Sequence, residues 1–359
     1  MRTVILPLLS FWRSGPMLLA LALTIPLTAT AQRGHIPLVL TSTNDSSANA
    51  VVVFNLQTEG TPSLQMVQKL PTNGTGGAGT NAGILQFSGN IGAVANFGSN
   101  TVTQLLRFGN SIAIGPTIHL APDCVKPDSV ALAGGHLFVV GATCAESYAW
   151  PFGFPDGSVV SLSDPSAAQI AVGETWAAVT LSSGSVLQLP LTRADGVLNG
   201  SSTSIALPTN ADMVPLGAAF WGNNLGFTPA HSPDSFAILN QNGDLRPIAG
   251  PTPSYPVNAP CWVAKGQGNI WYTGNSPGDA ISIFFTDSQG GVFYKSVPLP
   301  GSPTDITVSP DQKWLAAIYT AGDGAHVAVF SIDTFGDLSQ VATSNAIGVA
   351  SFSGVAISE

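Results

Sequence analysis

The stretch that decides the fold is residues 301–320, GSPTDITVSPDQKWLAAIYT. Residues 305–309 alternate polar and apolar side chains, which is the period of a half-buried strand. A turn is predicted at residues 309–311, Ser-Pro-Asp, because Pro fixes φ at the second turn position and Ser and Asp bond nearby backbone groups. Residues 314–319 then form an apolar second strand. A lone hairpin is marginally stable in water, so the fold depends on whether this pattern recurs.

The pattern does recur, at a spacing of about 46 residues along the chain. Segments similar to the second strand are centred on Leu38, Ile91, Leu137, Trp176, Leu225, Ile270 and Trp314. A third strand follows each of them, and a fourth strand is visible in most copies. Seven units of four short antiparallel strands predict an all-β protein, a seven-bladed β-propeller. A β-sandwich is the alternative, but it does not require one pattern seven times.

The two ends of the repeat array are complementary. The array starts at a second strand, residues 37–40, and stops after a lone first strand, residues 353–358. We therefore expect the C-terminal strand to pair with the first blade and close the ring, which removes the open sheet edges that invite aggregation.

The third blade departs from the pattern. Its interval from second to third strand, counted from Leu137 to Val159, is roughly twice as long as in the other six units. The surplus, residues 141–157, is predicted to be a long loop on the channel face, with the fourth strand of this blade missing or replaced. The loop carries Glu146 and four aromatic residues, Tyr148, Trp150, Phe152 and Phe154. Either it packs over the shortened blade, or it forms a lid or ligand wall.

Three segments carry a resemblance to a known family: residues 301–320, residues 260–285 (PCWVAKGQGNIWYTGNSPGDAISIFF) and residues 83–105 (GILQFSGNIGAVANFGSNTVTQL). They resemble repeats of the seven-bladed lactonase family. That family includes 6-phosphogluconolactonases and carboxymuconate cyclases and is related to YVTN-repeat surface proteins. The resemblance covers essentially the whole chain after residue 31. It implies the propeller fold and a lactone-processing site of Arg, His and Glu side chains in the channel, but that set is not identifiable residue by residue in this sequence.

Polar residues are predicted to surround the channel mouth, where propellers usually bind ligands. Second strands end at Asn96, Thr143, Asn275 and Tyr319, and first strands begin near Asn81, Asp128, Asn258 and Asp305. Capping of turns explains any single Asn or Asp equally well, whereas the ring as a whole suits a sugar or a lactone. The candidate ligand-binding residues are Asn96, Asp128, Glu146, Trp150, Asn275, Asp305 and Tyr319. Two loop histidines, His231 and His326, are candidate general bases.

Residues 1–31 are predicted to be a cleaved signal peptide, and residues 32–359 the propeller domain. Arg2 and Arg13 precede an apolar stretch, residues 17–23, and Ala29-Thr30-Ala31 is a small-x-small cleavage signal. A membrane anchor is the alternative, but the apolar run is shorter than the roughly 20 residues that span a bilayer. We therefore expect a secreted or periplasmic protein with no membrane insertion after cleavage.

Three cysteines are present. Cys124 precedes the first strand of blade 3 and Cys144 follows its second strand. Antiparallel pairing returns those strand ends to the same face, so a disulfide between them is expected under the oxidising conditions outside the cell. Cys261 lies within a first strand and is expected to be a buried free thiol.

Composition excludes several kinds of partner. The net charge is −9 with no cluster of Lys and Arg, which argues against nucleic acid. Gly77–Ala82 matches a relaxed dinucleotide fingerprint, but a strand and not a helix follows it. No zinc motif occurs, so no metal is expected. We also expect no cofactor, and we expect a monomer. Two functions stay open. One is binding of a small polar ligand at the channel mouth, with or without hydrolysis of a lactone. The other is non-catalytic contact with an extracellular macromolecule.

Overall fold

The computed structural model describes residues 36–79, 82–208, 214–230, 234–249, 260–276, 278–287, 290–348 and 351–359. The predicted signal peptide, residues 1–31, lies outside these ranges, and so do Asn81, His231 and Asn258. In the described part of the chain, no helix is long and apolar enough to cross a membrane.

The predicted hairpin forms as expected. Its strands pair antiparallel, with Asp305 opposite Ile318 and Val308 opposite Leu315. The turn between them is held by Ser309, whose Oγ accepts a hydrogen bond from the Trp314 backbone N–H at 3.0 Å and donates to Asp311 Oδ1 at 2.8 Å. The same unit recurs around the molecule in seven antiparallel sheets. The prediction of a seven-bladed β-propeller is confirmed.

The strands are numbered in chain order, and the first strand named in each blade is its inner strand. Blade 1 contains β29 (Ser353–Ser358), β1 (Leu38–Ser42), β2 (Ala50–Gln57) and β3 (Ser63–Pro71). Blade 2 contains β4 (Leu85–Ser88), β5 (Ile91–Asn96), β6 (Thr101–Phe108) and β7 (Ser111–His119), with a short 3-10 turn at Phe97–Ser99. Blade 3 contains β8 (Pro127–Ala133), β9 (His136–Gly141), β10 (Cys144–Ala149) and the short strands β11 (Phe154–Pro155) and β12 (Val160–Ser161).

The other four blades are regular. Blade 4 contains β13 (Ala167–Val172), β14 (Trp176–Leu181), β15 (Ser185–Pro190) and β16 (Thr203–Ala206). Blade 5 contains β17 (Val214–Trp221), β18 (Asn224–Ala230), β19 (Asp234–Asn240) and β20 (Leu245–Ala249). Blade 6 contains β21 (Pro260–Lys265), β22 (Ile270–Asn275), β23 (Ala280–Asp287) and β24 (Gly290–Pro298). Blade 7 contains β25 (Ser302–Val308), β26 (Trp314–Ala321), β27 (Gly324–Ile332) and β28 (Leu338–Thr343).

Each inner strand contacts the inner strand of the next blade, and these seven strands surround a central channel. Both faces of a blade are covered by its neighbours, so middle strands such as β14, WAAVTL, are buried along their whole length. The loops from second to third strands, and from each blade to the next, lie on one side of the ring, which we call the rim face. The turns from first to second and from third to fourth strands lie on the opposite side, the base face.

The C-terminal strand β29 is the inner strand of blade 1 and pairs antiparallel with β1. Its alternate side chains face different neighbours. Val355 and Ile357 are buried in the apolar cluster shared by blades 1 and 7, whereas Ala356 is buried in the cluster shared by blades 1 and 2. The strand therefore joins three blades through its packing.

Blade 3 corrects the prediction for residues 141–157. Its third strand is β10, which begins after a two-residue connection, so no long loop stands on the rim face. The fourth strand is present in two pieces, because β11 and β12 both pair with β10. The prediction failed because it placed the third strand at Val159 and so assigned Glu146 to the long loop. Glu146 is buried in β10, and hydrogen bonds to it offset the cost of burying its carboxylate.

Candidate functional site

A depression of about 310 Å³ lies on the rim face where blades 2, 3 and 4 meet. We call it the rim pocket, and its lining residues are Gly79, Phe97, Lys126, Asp128, Ala142, Pro165, Ser166, Ala167 and Ser182. Its volume is within the range of small-ligand sites. Among the predicted ligand-binding residues, Asp128 is the one that lines it.

Asp128 and Lys126 place two opposite charges in the rim pocket. Asp128 is buried near the start of β8, and this burial raises the pKa of its carboxyl to about 7, while the positive charge of Lys126 acts in the opposite direction. Lys126 is exposed, and its amine lies 5.8 Å from the centroid of the Phe97 ring. Near neutral pH the Asp128 carboxyl is therefore able both to accept and to give up a proton.

The backbone around Lys126 is fixed by neighbouring loops. The Lys126 N–H donates to Asn100 Oδ1 at 2.8 Å, and the Val125 N–H donates to Thr143 Oγ1 at 3.1 Å. Lys126 itself adopts a φ of 56°, in the left-handed region. These contacts tie the segment before β8 to blades 2 and 3 and so set the position from which the lysine side chain starts.

Asp164 is not part of the rim-pocket lining, but it holds together the two loops that carry the lining residues Ser166 and Ser182. Its carboxylate accepts hydrogen bonds from the Ser166 N–H at 2.9 Å and from Ser183 Oγ at 2.5 Å. Hydrogen bonds from Ser166 and Ser183 lower the pKa of Asp164 below its usual value, so it is negatively charged at neutral pH. Ser182 Oγ donates to the Ser166 carbonyl at 3.2 Å. These contacts fix the positions of the two lining serines, Ser166 and Ser182.

Cys124 and Cys144 are joined by a disulfide directly beside this region. Glu146 lies next to the disulfide, where its carboxylate accepts hydrogen bonds from the Ala121 N–H at 3.1 Å and from the Tyr148 hydroxyl at 2.6 Å. Burial and the contact with Glu146 raise the pKa of Tyr148. The two sulfurs and the Glu146 carboxylate lie within 4.8 Å of one another, but the disulfide removes the thiolates that a metal would need. Glu146 thus ties the segment before β8 to β10, away from the pocket lining.

Asn96 and Asn275, two further predicted ligand residues, are fully buried at strand ends. Asn96 Oδ1 accepts from Asn49 Nδ2 at 3.0 Å and from Thr72 Oγ1 at 2.7 Å, so it joins blades 1 and 2. Asn275 Nδ2 donates to Ser282 Oγ at 2.7 Å. Both amides are used within the propeller, and neither lines the rim pocket.

Tyr319 and His326 form a separate pair on the rim side of blade 7. Their rings stack with centroids 5.3 Å apart, and burial raises the pKa of Tyr319. One ring nitrogen of His326 lies 2.8 Å from Asp323 Oδ1 and the other 3.2 Å from the Ser344 carbonyl. The structure does not bring this candidate general base into the rim pocket.

Trp150 lies at the base-face end of β10, at the opposite end of the strand from Cys144. Its backbone N–H donates to the Gly135 carbonyl at 2.9 Å, within the base-face turn of blade 3. The indole is partly buried against the apolar cluster between blades 1, 2 and 3. Trp150 therefore packs against blade structure and is not a wall of the rim pocket.

Residues 82–84, which we call the channel plug, cross between inner strands of different blades near the rim face. The Ala82 N–H donates to the Ala168 carbonyl of blade 4 at 3.4 Å, and the Gly83 carbonyl accepts from the Val130 N–H of blade 3 at 2.8 Å. Gly83 has a φ of 70°, and a Cβ there would lie 2.9 Å from Ser129 Oγ. Only glycine therefore fits this crossing point without displacing its neighbours.

Asp305 anchors the channel plug from blade 7. Its carboxylate accepts hydrogen bonds from the Ile306 N–H at 2.8 Å and the Val355 N–H at 3.2 Å, and from the backbone of Gly83. Burial raises the pKa of Asp305 to about 7. A second cavity of about 230 Å³ extends from the plug toward the base face, with Gln86, Gln169, Phe220, Lys265, Asp305 and Thr307 in its lining. Asp305 is thus separated from Asp128 by the plug.

Four lining residues of the rim pocket were missed in the sequence: Phe97, Lys126, Ser166 and Ser182. They come from four different connecting loops, whose proximity is set by the ring and not by spacing along the chain. One signal was available, because Lys126 stands two residues before Asp128 at the start of a first strand. That position predicts a side chain at the rim.

No protein-family model matches this chain. No curated protein matches it in sequence either. Solved structures do match. A protein from Bacteroides uniformis provisionally assigned as a 6-phosphogluconolactonase superposes with a TM-score of 0.63 at 15% identity, covering 90% of this chain and 99% of the other. The periplasmic gluconolactonase of Pseudomonas aeruginosa gives a TM-score of 0.64 at 14% identity, again covering 90% and 99%.

A structure of a different function also matches. Kuenenia stuttgartiensis hydrazine synthase gives a TM-score of 0.57 at 13% identity, covering 83% of this chain and 95% of the other. At such identities the comparisons establish the shared propeller fold. Function has to be argued from the rim pocket itself.

Proposed function

We propose that this protein is an exported lactonase-like propeller that binds a small polar ligand, sugar-like or lactone-like, in the rim pocket. The observation that carries the proposal is the buried Asp128 carboxyl, with a pKa of about 7, beside the Lys126 amine in a depression of about 310 Å³. The Phe97 ring offers an apolar face against which a sugar ring packs. Export rests on the N-terminal sequence pattern and agrees with the periplasmic location in the name of one structural neighbour.

The same groups support lactone hydrolysis. The Asp128 carboxylate takes a proton from a water molecule as the water oxygen bonds to the lactone carbonyl carbon. The Lys126 ammonium stabilises the oxyanion that develops on the carbonyl oxygen. When the carbonyl re-forms, the ring C–O bond breaks and the leaving alkoxide takes the proton back from Asp128. The product is a hydroxy acid, and the Asp128 carboxylate is regenerated.

The test is hydrolysis of D-glucono-1,5-lactone, followed as acid release in a pH-stat and corrected for the spontaneous rate. We expect acceleration by the wild type and a loss of about 100-fold in Asp128→Asn, since general-base groups contribute 10²–10⁴-fold. Asp323→Asn, which changes an exposed rim-face carboxylate outside the pocket, is the matched control and should keep wild-type activity. Equal rates for the wild type and both variants would contradict a catalytic role for Asp128.

A second function is favoured by the base face. Phe108, Phe152 and Phe154 are 63%, 74% and 69% exposed at or near base-face turns of blades 2 and 3. Exposed aromatic side chains of this kind mark contact sites for macromolecules. If the protein is a non-catalytic interaction module, replacing Phe152 and Phe154 with Ser should abolish its association with the extracellular partner, whereas Asp128→Asn should leave that association unchanged.

A further inference from the structure

The cations of the propeller are few, and nearly all lie away from the rim pocket. After residue 35 the sequence contains eight Lys and Arg residues, and all eight lie in the described part of the chain. Lys126 is the member of this set that lines the rim pocket. The others are Lys69, Arg107, Arg193, Arg246, Lys265, Lys295 and Lys313.

Several of these other cations are engaged within the propeller. Arg107 donates to the Ile36 carbonyl at 2.6 Å and to Ser358 Oγ at 3.1 Å. Lys265 donates to two carbonyls of its own base-face turn, each at 2.6 Å. Lys295 and Lys313 form ion pairs with aspartates. Among the described residues, Lys126 is therefore the single cation that a ligand in the rim pocket meets.

That arrangement is poorly suited to a phosphate group. A phosphomonoester carries a charge of about −1.5 to −2 at pH 7 and is usually bound by several cations, bidentate arginine or a helix N-terminus. In the rim pocket the one ammonium group shares the lining with Asp128, which is partly ionised at neutral pH. Lys126 can pair with one anionic group of a ligand, so a phosphate added to a sugar acid meets only repulsion from the Asp128 carboxylate.

A sugar acid or lactone without a phosphate group matches the same groups well. Its hydroxyls donate to the Asp128 carboxylate and exchange hydrogen bonds with Ser166 and Ser182, while its carboxylate or lactone carbonyl oxygen accepts from Lys126. We propose that the rim pocket selects unphosphorylated sugar acids and lactones and discriminates against their phosphorylated forms. This inference rests on the proposed function. Of the two activities named among the structural neighbours, it favours that of a gluconolactonase over that of a 6-phosphogluconolactonase.

The test compares D-gluconate with 6-phospho-D-gluconate by isothermal titration calorimetry on the wild-type protein at pH 7.5. We expect gluconate to bind more tightly by about tenfold or more, because the phosphate adds repulsion from the Asp128 carboxylate and finds no second cation. In Ser182→Arg, which places a second cation on an exposed rim position, 6-phosphogluconate should gain about tenfold in affinity with gluconate changed little. The matched control is Ser339→Arg, on the outer strand β28 away from the pocket, and it should reproduce wild-type affinities.

The outcomes separate the two proposals. Tighter binding of 6-phosphogluconate than of gluconate, lost in Lys126→Gln, would overturn the inference and leave a rim-pocket ligand in place. If neither compound binds at millimolar concentration, the proposed function fails, and the inference fails with it. If Ser182→Arg and Ser339→Arg strengthen phosphate binding equally, the effect is general surface charge, and the argument from the pocket is wrong.

Discussion

The C-terminal strand offers the sharpest test of how the propeller is held together. Ile357 is 3% exposed and packs in the cluster shared by blades 1 and 7. Shortening a buried Ile to Ala removes most of the side chain and leaves a cavity, which costs about 2–5 kcal/mol of unfolding free energy. Ile357→Val removes one methylene and should cost about 0.5–1.5 kcal/mol. The first value is a large share of the about 5–15 kcal/mol that stabilises a typical domain.

The measurement is urea unfolding followed by tryptophan fluorescence, with the melting temperature as a second readout. Val292→Ala is the control, since Val292 is 62% exposed on the outer strand β24 and its loss should change stability by no more than about 0.5 kcal/mol. Deleting residues 353–359 should be more severe than either point variant, because it also removes the pairing with β1. The reasoning is refuted if Ile357→Ala costs no more than Val292→Ala, since the strand would then contribute little to the joint between blades 1 and 7.

Three further predictions concern blade 3. The pKa of Asp128 is about 7 in the folded protein, against a usual value of 3.8. Between these two pH values the folded protein binds a proton that the unfolded chain has lost. The stabilisation from this proton is fully present below pH 4 and declines as the pH rises through 7. Asp128→Asn should therefore lose less unfolding free energy than wild type between pH 4 and pH 8, by up to about 4 kcal/mol, and an identical pH profile would contradict the burial argument. Replacing Cys124 and Cys144 with Ala opens a covalent loop with a sequence separation of 20 and should cost about 3 kcal/mol; a non-reducing peptide map that finds both thiols free would contradict the bridge. Trp150→Ala should lower stability by about 3 kcal/mol and leave gluconate affinity unchanged, and the opposite pattern would return this residue to the ligand site.

The fold was predictable because it follows from a local sequence pattern that repeats along the chain. The alternation in residues 305–309 and the turn after them identify one hairpin, and the same pattern at seven places leaves few alternatives to a propeller. The error in blade 3 arose where a local rule conflicts with tertiary contacts. Glu146 looks like a loop residue in the sequence, but the Tyr148 hydroxyl and the Ala121 N–H satisfy its carboxylate inside the sheet.

The site was less predictable because its parts are distant in the sequence. Asp128 was identified as a polar residue at the start of a first strand. Asn96 and Asn275 were identified in the same way at the ends of second strands, yet their amides are used in hydrogen bonds inside the propeller. The lining serines Ser166 and Ser182 stand near none of these residues in the chain. A polar side chain at a strand end faces either a ligand or a neighbouring loop, depending on the hydrogen-bond partners that the next blade supplies. The spacing of residues along the sequence does not predict those partners.

The channel plug changes the mechanical connectivity of the ring. Blades that touch only their two neighbours form a loop of seven joints, and such a loop can open at its weakest joint. The segment from Ala82 to Gly83 cross-links blades that are not neighbours, because it enters from blade 2 and forms hydrogen bonds with inner strands of blades 3, 4 and 7. If one joint between neighbouring blades loosens, those four blades are still held at the axis. A glycine with no side chain thus serves as the hub of the propeller.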